Sequence, residues 1–294
     1  MKPASRLPLT SECHHYYDIG EVPWDIQKLV VHSMTQFSCH AFTFGRLTNS
    51  FLLPGTRYWH QRYSIFSYYD DDVQLTDDAW FGVTPEPVAA AIAADLAARQ
   101  PASHTTLVDL FAGAGGNVIA FALSGRWQRI VAVERDAATL ACAQHNAEVY
   151  GVPDGLITWV HGDCFEYLRL LRRQQQQQQQ TQQHQEGENE AAELLAPELQ
   201  VDPASTVIFA SPPWGGVSYR DQDVFDLSTM QPYNLRQLHD ASVPFEHALY
   251  LPRTSDLRQI AKLVPGETKV DVRQYCMEGA SKAMVAYIPS TTST

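Results

Sequence analysis

The strand-like run Thr206-Val207-Ile208-Phe209-Ala210 delivers the chain into Ser211-Pro212-Pro213-Trp214-Gly215-Gly216. Two successive prolines fix their own φ and donate no backbone hydrogen bond, so the chain must leave a sheet here as a stiff, extended turn with its carbonyls as acceptors. An indole follows, and two glycines keep side chains away from its face. A flat, amino-bearing ring would suit that surface. The plainer alternative is a proline-rich turn whose tryptophan packs back on the core.

Three carboxylates favour a ligand. Thr105-Thr106-Leu107-Val108-Asp109-Leu110-Phe111 reads as a buried strand that runs into Ala112-Gly113-Ala114-Gly115-Gly116-Asn117, with helical residues beginning at Val118. Strand, glycine loop and helix N-terminus form a cofactor cradle, because glycines let backbone N–H groups approach a ligand closely. The run 129–134 is a second strand, and Glu134 closes it 25 residues after Asp109, a separation at which an acid accepts ribose hydroxyls. A third strand over 156–160 leads to Asp163. In a parallel sheet all three acids fall on the carboxyl edge, where open α/β sheets bind ligands. A hydride-transfer enzyme would share strand, loop and acid, but the third glycine of its G-x-G-x-x-G fingerprint is missing. S-Adenosyl-L-methionine fits better. Asp109, Gly113 and Gly115 would lie near its methionine part, Glu134 would grip its ribose and Asp163 would accept from its adenine amine.

The elements that must hold these groups alternate between strand and helix. The expected fold is therefore α/β and Rossmann-like: a seven-stranded, mostly parallel sheet with helices on both faces and a small N-terminal extension. Thr84 reads as the N-cap of a helix over 88–99, with Pro85 at its first position, and Ser255 as the N-cap of a helix over 255–263. A fifth strand over 245–251 puts Arg253 on the ligand edge. Strands over 268–276 and 283–288, joined by a short loop, should be antiparallel neighbours. Residues 1–55 form a poorly specified extension, in which 25–31 could be a short helix or strand. Residues 56–100 form an aromatic-rich subdomain, and 101–290 the catalytic domain. The aromatics at 58, 59, 63, 66, 68, 69, 80 and 81 could be a satellite core or stacking platforms beside cations. A low-complexity insertion spans about 172–203 and contains Gln174 to Gln180, seven glutamines in a row. Such a tract builds no apolar core, so it should be disordered or extend a helix.

A formal net charge of -12 argues against broad binding to a nucleic-acid backbone, which depends on neutralising phosphates. A local basic site remains compatible with it. Five cysteines without C-x-x-C spacing fit a reducing, intracellular setting. Cys13-His14-His15 and Cys39-His40 have no second Cys or His at finger spacing, so no metal is expected. The chain shows neither a run of about 18 apolar residues nor a signal-peptide core, so no membrane association is expected.

The glycine motif Asp109-x-Phe111-x-Gly113-x-Gly115-Gly116-Asn117, taken with Ser211 to Gly216, resembles the class I methyltransferases that methylate exocyclic amines. More narrowly, the chain is similar to the trimethylguanosine synthase family, which hypermethylates the 7-methylguanosine cap of small nuclear and nucleolar RNAs. The further matches are Tyr58-Trp59-x-Gln61-Arg62-Tyr63-x-x-Phe66-Ser67, Trp80-Phe81-x-Val83-Thr84-Pro85-Glu86, Asn146-Ala147-Glu148-Val149-Tyr150-Gly151 and Leu251-Pro252-Arg253. They extend the resemblance over about 56–288. The family usually has Asp at the end of the second strand, where this chain has Glu134, so a carboxylate persists.

The resemblance implies methyl transfer to guanine N2, with Ser211, Pro212 and Trp214 around the reacting amine. It adds Thr84 and Phe66 to the cofactor contacts Asp109, Gly113, Gly115, Glu134 and Asp163. Arg253 and Arg57 would join Trp214 in holding the cap. The expected partner is a 7-methylguanosine-capped small RNA, met in the nucleus or nucleolus, with the cytoplasm as a second compartment; no protein partner is implied. Two alternatives stay open. One is an amino-methyltransferase acting on adenine N6 or a protein glutamine amide, and the other a noncatalytic cap- or cofactor-binding scaffold. Arg253 bridging a surface carboxylate and Thr84 serving only as a helix cap are the plainer readings of those residues.

Overall fold

A computed structural model describes residues 1–23, 26, 57–183, 195–215, 222–266 and 268–290, with backbone alone for 57 and 178–183. Seven strands form one sheet: β1 (Thr106–Asp109), β2 (Arg129–Glu134), β3 (Ile157–His161), β4 (Thr206–Ala210), β5 (Glu246–Pro252), β6 (Asp271–Met277) and β7 (Ala280–Ile288). Their order is β3-β2-β1-β4-β5-β7-β6. The first five run parallel, and β7 lies antiparallel between β5 and β6.

Period-2 alternation divides the apolar residues of these strands between two cores. Leu107, Ile130, Ala132, Val207 and Phe209 face one side, under α1 (Glu86–Arg99), α2 (Gly116–Leu123) and α3 (Ala137–Val149). Val108, Val131, Val133, Ile208 and Ala210 face the other, where α4 (Cys164–Gln183), α5 (Leu235–Ser242) and α6 (Leu257–Ala261) pack. The expected sheet and its two helical faces are present. The strand order reverses between β1 and β4, so the ends of these two neighbours diverge and open a crevice.

Local chemistry shifts several expected boundaries. Thr84 does not cap α1: its hydroxyl accepts from Asn117 Nδ2 at 3.0 Å, and Pro85 holds the N-cap position in extended backbone. Ser255 does not cap α6 either. Its hydroxyl donates to the Pro252 carbonyl, while Asp256 accepts from the Arg258 N–H and becomes the cap. The glutamine tract extends a helix, since α4 runs through Gln174–Gln180 without a break, consistent with the fair helix propensity of Gln. Packing resumes earlier than the expected insertion end at 203. Leu195, Leu199 and Val201 are buried, and the Tyr167 hydroxyl donates to the Leu199 carbonyl at 2.9 Å.

The N-terminal segment is better specified than its aperiodic sequence implies. Ala4 N–H donates to the Trp159 carbonyl of edge strand β3, and Gln144 clamps the Ser5 carbonyl and the Leu7 N–H. His14 and Leu75 form an antiparallel bridge. A strap held by isolated contacts needs no periodicity, which is why its order is not written in its pattern. Of residues 25–31, all but Ile26 lie outside the described residues. The aromatic segment is chiefly core, but not a separate satellite: Trp59, Phe66, Tyr69 and Trp80 are buried in the same cluster as Leu107, Ile130 and Phe209 of the sheet. Arg62 lies over the Trp59 and Tyr63 rings and donates to the Trp59 carbonyl. No helix among the described residues is long and apolar enough to cross a membrane.

Candidate active site

The carboxyl ends of β1, β2 and β4 meet at the crevice. After Asp109 the chain turns through Gly113 (φ 54°) and Gly115 (φ 102°), both left-handed, where any other residue would be strained. A Cβ added at Gly113 would meet nothing within 4 Å, so the loop is open there. Its underside is fixed. Asn146 Nδ2 donates to the Ala114 and Gln74 carbonyls at 2.9 Å each, and its Oδ1 accepts from the Gln74 N–H.

Asp109 is fully buried. Its Oδ1 accepts from the Phe111 N–H at 3.1 Å, whereas Oδ2 has no partner among the described residues. Desolvation, opposed by that N–H and reinforced by the charge of Glu134, pushes its pKa up to about 7. Glu134 accepts from the Gly113 N–H at 2.9 Å with one oxygen and from the Asp136 N–H at 2.9 Å with the other. Burial raises its pKa as well, against the pull of those N–H groups. With the Arg135 N–H as a third donor, Glu134 still keeps a lone pair for a ligand. Asp163 caps α4 by accepting from the Phe165 and Glu166 N–H groups, and its other oxygen accepts from the Tyr233 hydroxyl at 2.5 Å. Tyr233 in turn lies 4.3 Å from the Phe165 ring and 6.2 Å from Phe111. Its own pKa is pushed up to about 12, first by burial and then by Asp163.

β4 sets the acceptor-side turn beside this cradle. Asp109 is in register with Phe209, which places Ser211 just past the end of β1. Ser211 Oγ donates to the Phe111 carbonyl at 3.3 Å, and Asn117 Nδ2 lies 3.5 Å from the same oxygen. Pro212 is buried and Pro213 exposed. Trp214 is partly buried; its ring stacks on Tyr250 at 5.5 Å and 22°, and Nε1 donates to the Tyr250 carbonyl at 3.3 Å. Gly216 lies outside the described residues.

The other expected residues divide. Arg253 is exposed at the end of β5 and has no ion-pair partner among the described residues, so it does not bridge a carboxylate there. Phe66 is buried with its ring 5.8 Å from Tyr150. Arg57 begins a one-turn helix (Arg57–His60), and its side chain is outside the description. Three residues went unassigned in the sequence: Asn117, Tyr233 and Tyr250. Asn117 ends the glycine motif and Tyr250 stands beside Leu251-Pro252-Arg253, which is a usable signal, but Tyr233 reaches Asp163 only through the tertiary fold.

An unpaired buried carboxylate beside an open glycine loop suits a ligand that brings its own cation and hydroxyls. S-Adenosylmethionine brings both, and the residues present fit it. Switch-point crevice, glycine loop, acids at the ends of β1 and β2, and closing antiparallel pair define a class I methyltransferase. A crystal structure of a Porphyromonas gingivalis W83 protein, assigned as a methyltransferase, shares this fold at a TM-score of 0.55 and 15% identity, over 80% of this chain and 48% of that one. Residues 104–291 match the RNA cap guanine-N2 methyltransferase family, and the chain belongs to it. It is thus an S-adenosylmethionine-dependent enzyme, and its reaction is methyl transfer to guanine N2 of an RNA cap. That sets aside the adenine, glutamine and noncatalytic alternatives. Trimethylguanosine synthase of Schizosaccharomyces pombe is 30% identical over 234 residues, covering 79% of this chain and 84% of the relative. The Saccharomyces cerevisiae protein of the same name is 29% identical over 210 residues, and there the match spans 57% of the relative's length.

Proposed function

We propose that the guanine accepted here is already methylated at N7, that the product is 2,2,7-trimethylguanosine, and that the carriers are small nuclear and nucleolar RNAs. The two relatives named trimethylguanosine synthase support this reading. The observation that carries it is Trp214, an indole held by Tyr250 at the end of β4 beside Ser211. N7-methylation gives guanine a positive charge, and a cation over an indole gains ~0.5–2 kcal/mol that uncharged guanine does not. Trp214 therefore selects for the methylated cap.

Bound S-adenosylmethionine supplies an electrophilic methyl group. Asp109, Gly113, Gly115, Glu134 and Asp163 would hold it, with Thr84 and Phe66 behind them. Ser211 Oγ and the Pro212 carbonyl accept the two N2 protons and aim the amine, so positioning is the main contribution of the site. No strong base is required, because the proton can leave to water. Arg253 and Arg57 pair with the cap triphosphate, a bidentate task that guanidinium performs well. The nucleus or nucleolus is the compartment this reading proposes, with the cytoplasm as the second.

Incubation with labelled S-adenosylmethionine should methylate 7-methylguanosine cap dinucleotide and leave the unmethylated cap untouched. Trp214→Ala should lower kcat/KM by about 2- to 30-fold, the cation–π range. Equal turnover of both caps, or an unaffected variant, would sink the reading.

A further inference from the structure

Asn117 is only 6% exposed, yet its amide is bonded at one end alone. Nδ2 donates to Thr84 Oγ1 at 3.0 Å and points at Ser211 Oγ at 3.5 Å, while the buried Oδ1 has no partner among the described residues. A side chain placed for packing or for satisfying its neighbours would use both ends of the amide. Here the amide is directed at the hydroxyl that faces the acceptor.

We propose that Asn117 is a positioning residue that fixes the polarity of the Ser211 hydroxyl; the inference rests on Ser211 aiming the acceptor amine. An amide NH₂ can only donate and a carbonyl can only accept. Between Asn117 Nδ2 and the Phe111 carbonyl, Ser211 is left with one arrangement: its proton goes to Phe111 and one lone pair to Asn117. The lone pair that remains accepts an N–H of the amine. The reverse arrangement, with Ser211 donating to the amine nitrogen, would occupy the lone pair that must attack the methyl group. Both contacts on Oγ are long, which leaves it room to close on a bound amine, as such contacts do when substrate arrives. Thr84 completes the device. It anchors the Asn117 amide, and its own backbone is wedged against the glycine loop, where a Cβ on Gly116 would lie 3.1 Å from the Thr84 carbonyl. The packing of the 83–86 segment against the loop is thereby linked to the acceptor side.

The test is a double-mutant cycle of Asn117→Ala and Ser211→Ala, read as kcat and as cofactor affinity by calorimetry, with thermal melts alongside. We expect Asn117→Ala to lower kcat at least tenfold, to leave the cofactor Kd within twofold, and to add less than twofold once Ser211 is Ala. Asn117→Asp keeps the shape but can only accept, so it should be at least as slow as Asn117→Ala. A melt that collapses for Ala leaves the isosteric Asp to decide. Undiminished loss in the Ser211→Ala background, a matching loss of cofactor affinity, or an Asn117→Asp enzyme near wild-type kcat overturns the assignment. The wild-type assay on methylated and unmethylated caps reports separately on the acceptor.

Discussion

Asp109 holds a carboxylate oxygen in the core with no hydrogen-bond partner among the described residues. Its pKa is near 7 folded and near 3.8 unfolded, so between those values the native state keeps a proton that the unfolded chain has lost. Stability from this group is fully present below about 4 and lost as pH rises to about 7. The cost at pH 8 is roughly 4 kcal/mol at most. Asp109→Asn should therefore melt higher than wild type at pH 8, with the advantage vanishing toward pH 4. Binding of a cationic cofactor runs the other way, since it needs the ionised acid. Wild-type affinity measured by calorimetry should rise about tenfold from pH 6 to pH 8, and the Asn variant should be weak and flat. A wild-type affinity independent of pH would contradict this account.

At the scale of elements, the site depends on how closely α2 and the segment before α1 approach. Gly116 begins α2, and a methyl there would press on the Thr84 carbonyl at 3.1 Å and on Val83 Cγ2 at 3.3 Å. Backbone cannot yield as a flexible side chain can. Gly116→Ala should cost about 1–3 kcal/mol, lower Tm by about 2–8 °C and raise the cofactor KM several-fold. A variant with unchanged Tm and KM would mean that the 83–86 segment is not part of the site. The hairpin β6–β7 belongs to the same scale. Tyr275 and Arg273 both bond Asp95 of α1, which ties the end of the sheet to the helix entering from Thr84.

For the whole molecule, a net charge of -12 leaves little long-range attraction for RNA. On the proposed reading, affinity comes from the cap itself: the stacked base and a triphosphate met by a few arginines. KM for capped RNA should rise with salt by a slope of no more than about 2 in log KM against log salt, and lengthening the RNA beyond the cap should change it little. A slope above about 4, or a tenfold gain with longer RNA, would reveal a second contact surface. The strap of residues 1–23 also belongs to this scale, because it joins the edge of β3, α3 and the Leu75 segment, which are remote in sequence.

Local patterns determined much of this protein without help. Strand limits at 129–134 and 206–210 are as read, because a buried parallel strand declares itself as an unbroken apolar run. The glycine loop and the acids at 109, 134 and 163 were legible because their spacing follows the repeat of strand, loop and helix. Tertiary structure alone decided how each group is used. Thr84 bonds an amide instead of capping a helix, Asp163 is shared between α4 and Tyr233, and Arg62 lies among aromatic rings. Hydrogen bonds between residues dozens of positions apart leave no periodicity in the chain. The stiff turn from Ser211 to Trp214 was visible as chemistry, but the partners that orient it, Asn117, Phe111 and Tyr250, meet only when β1, β4 and β5 align.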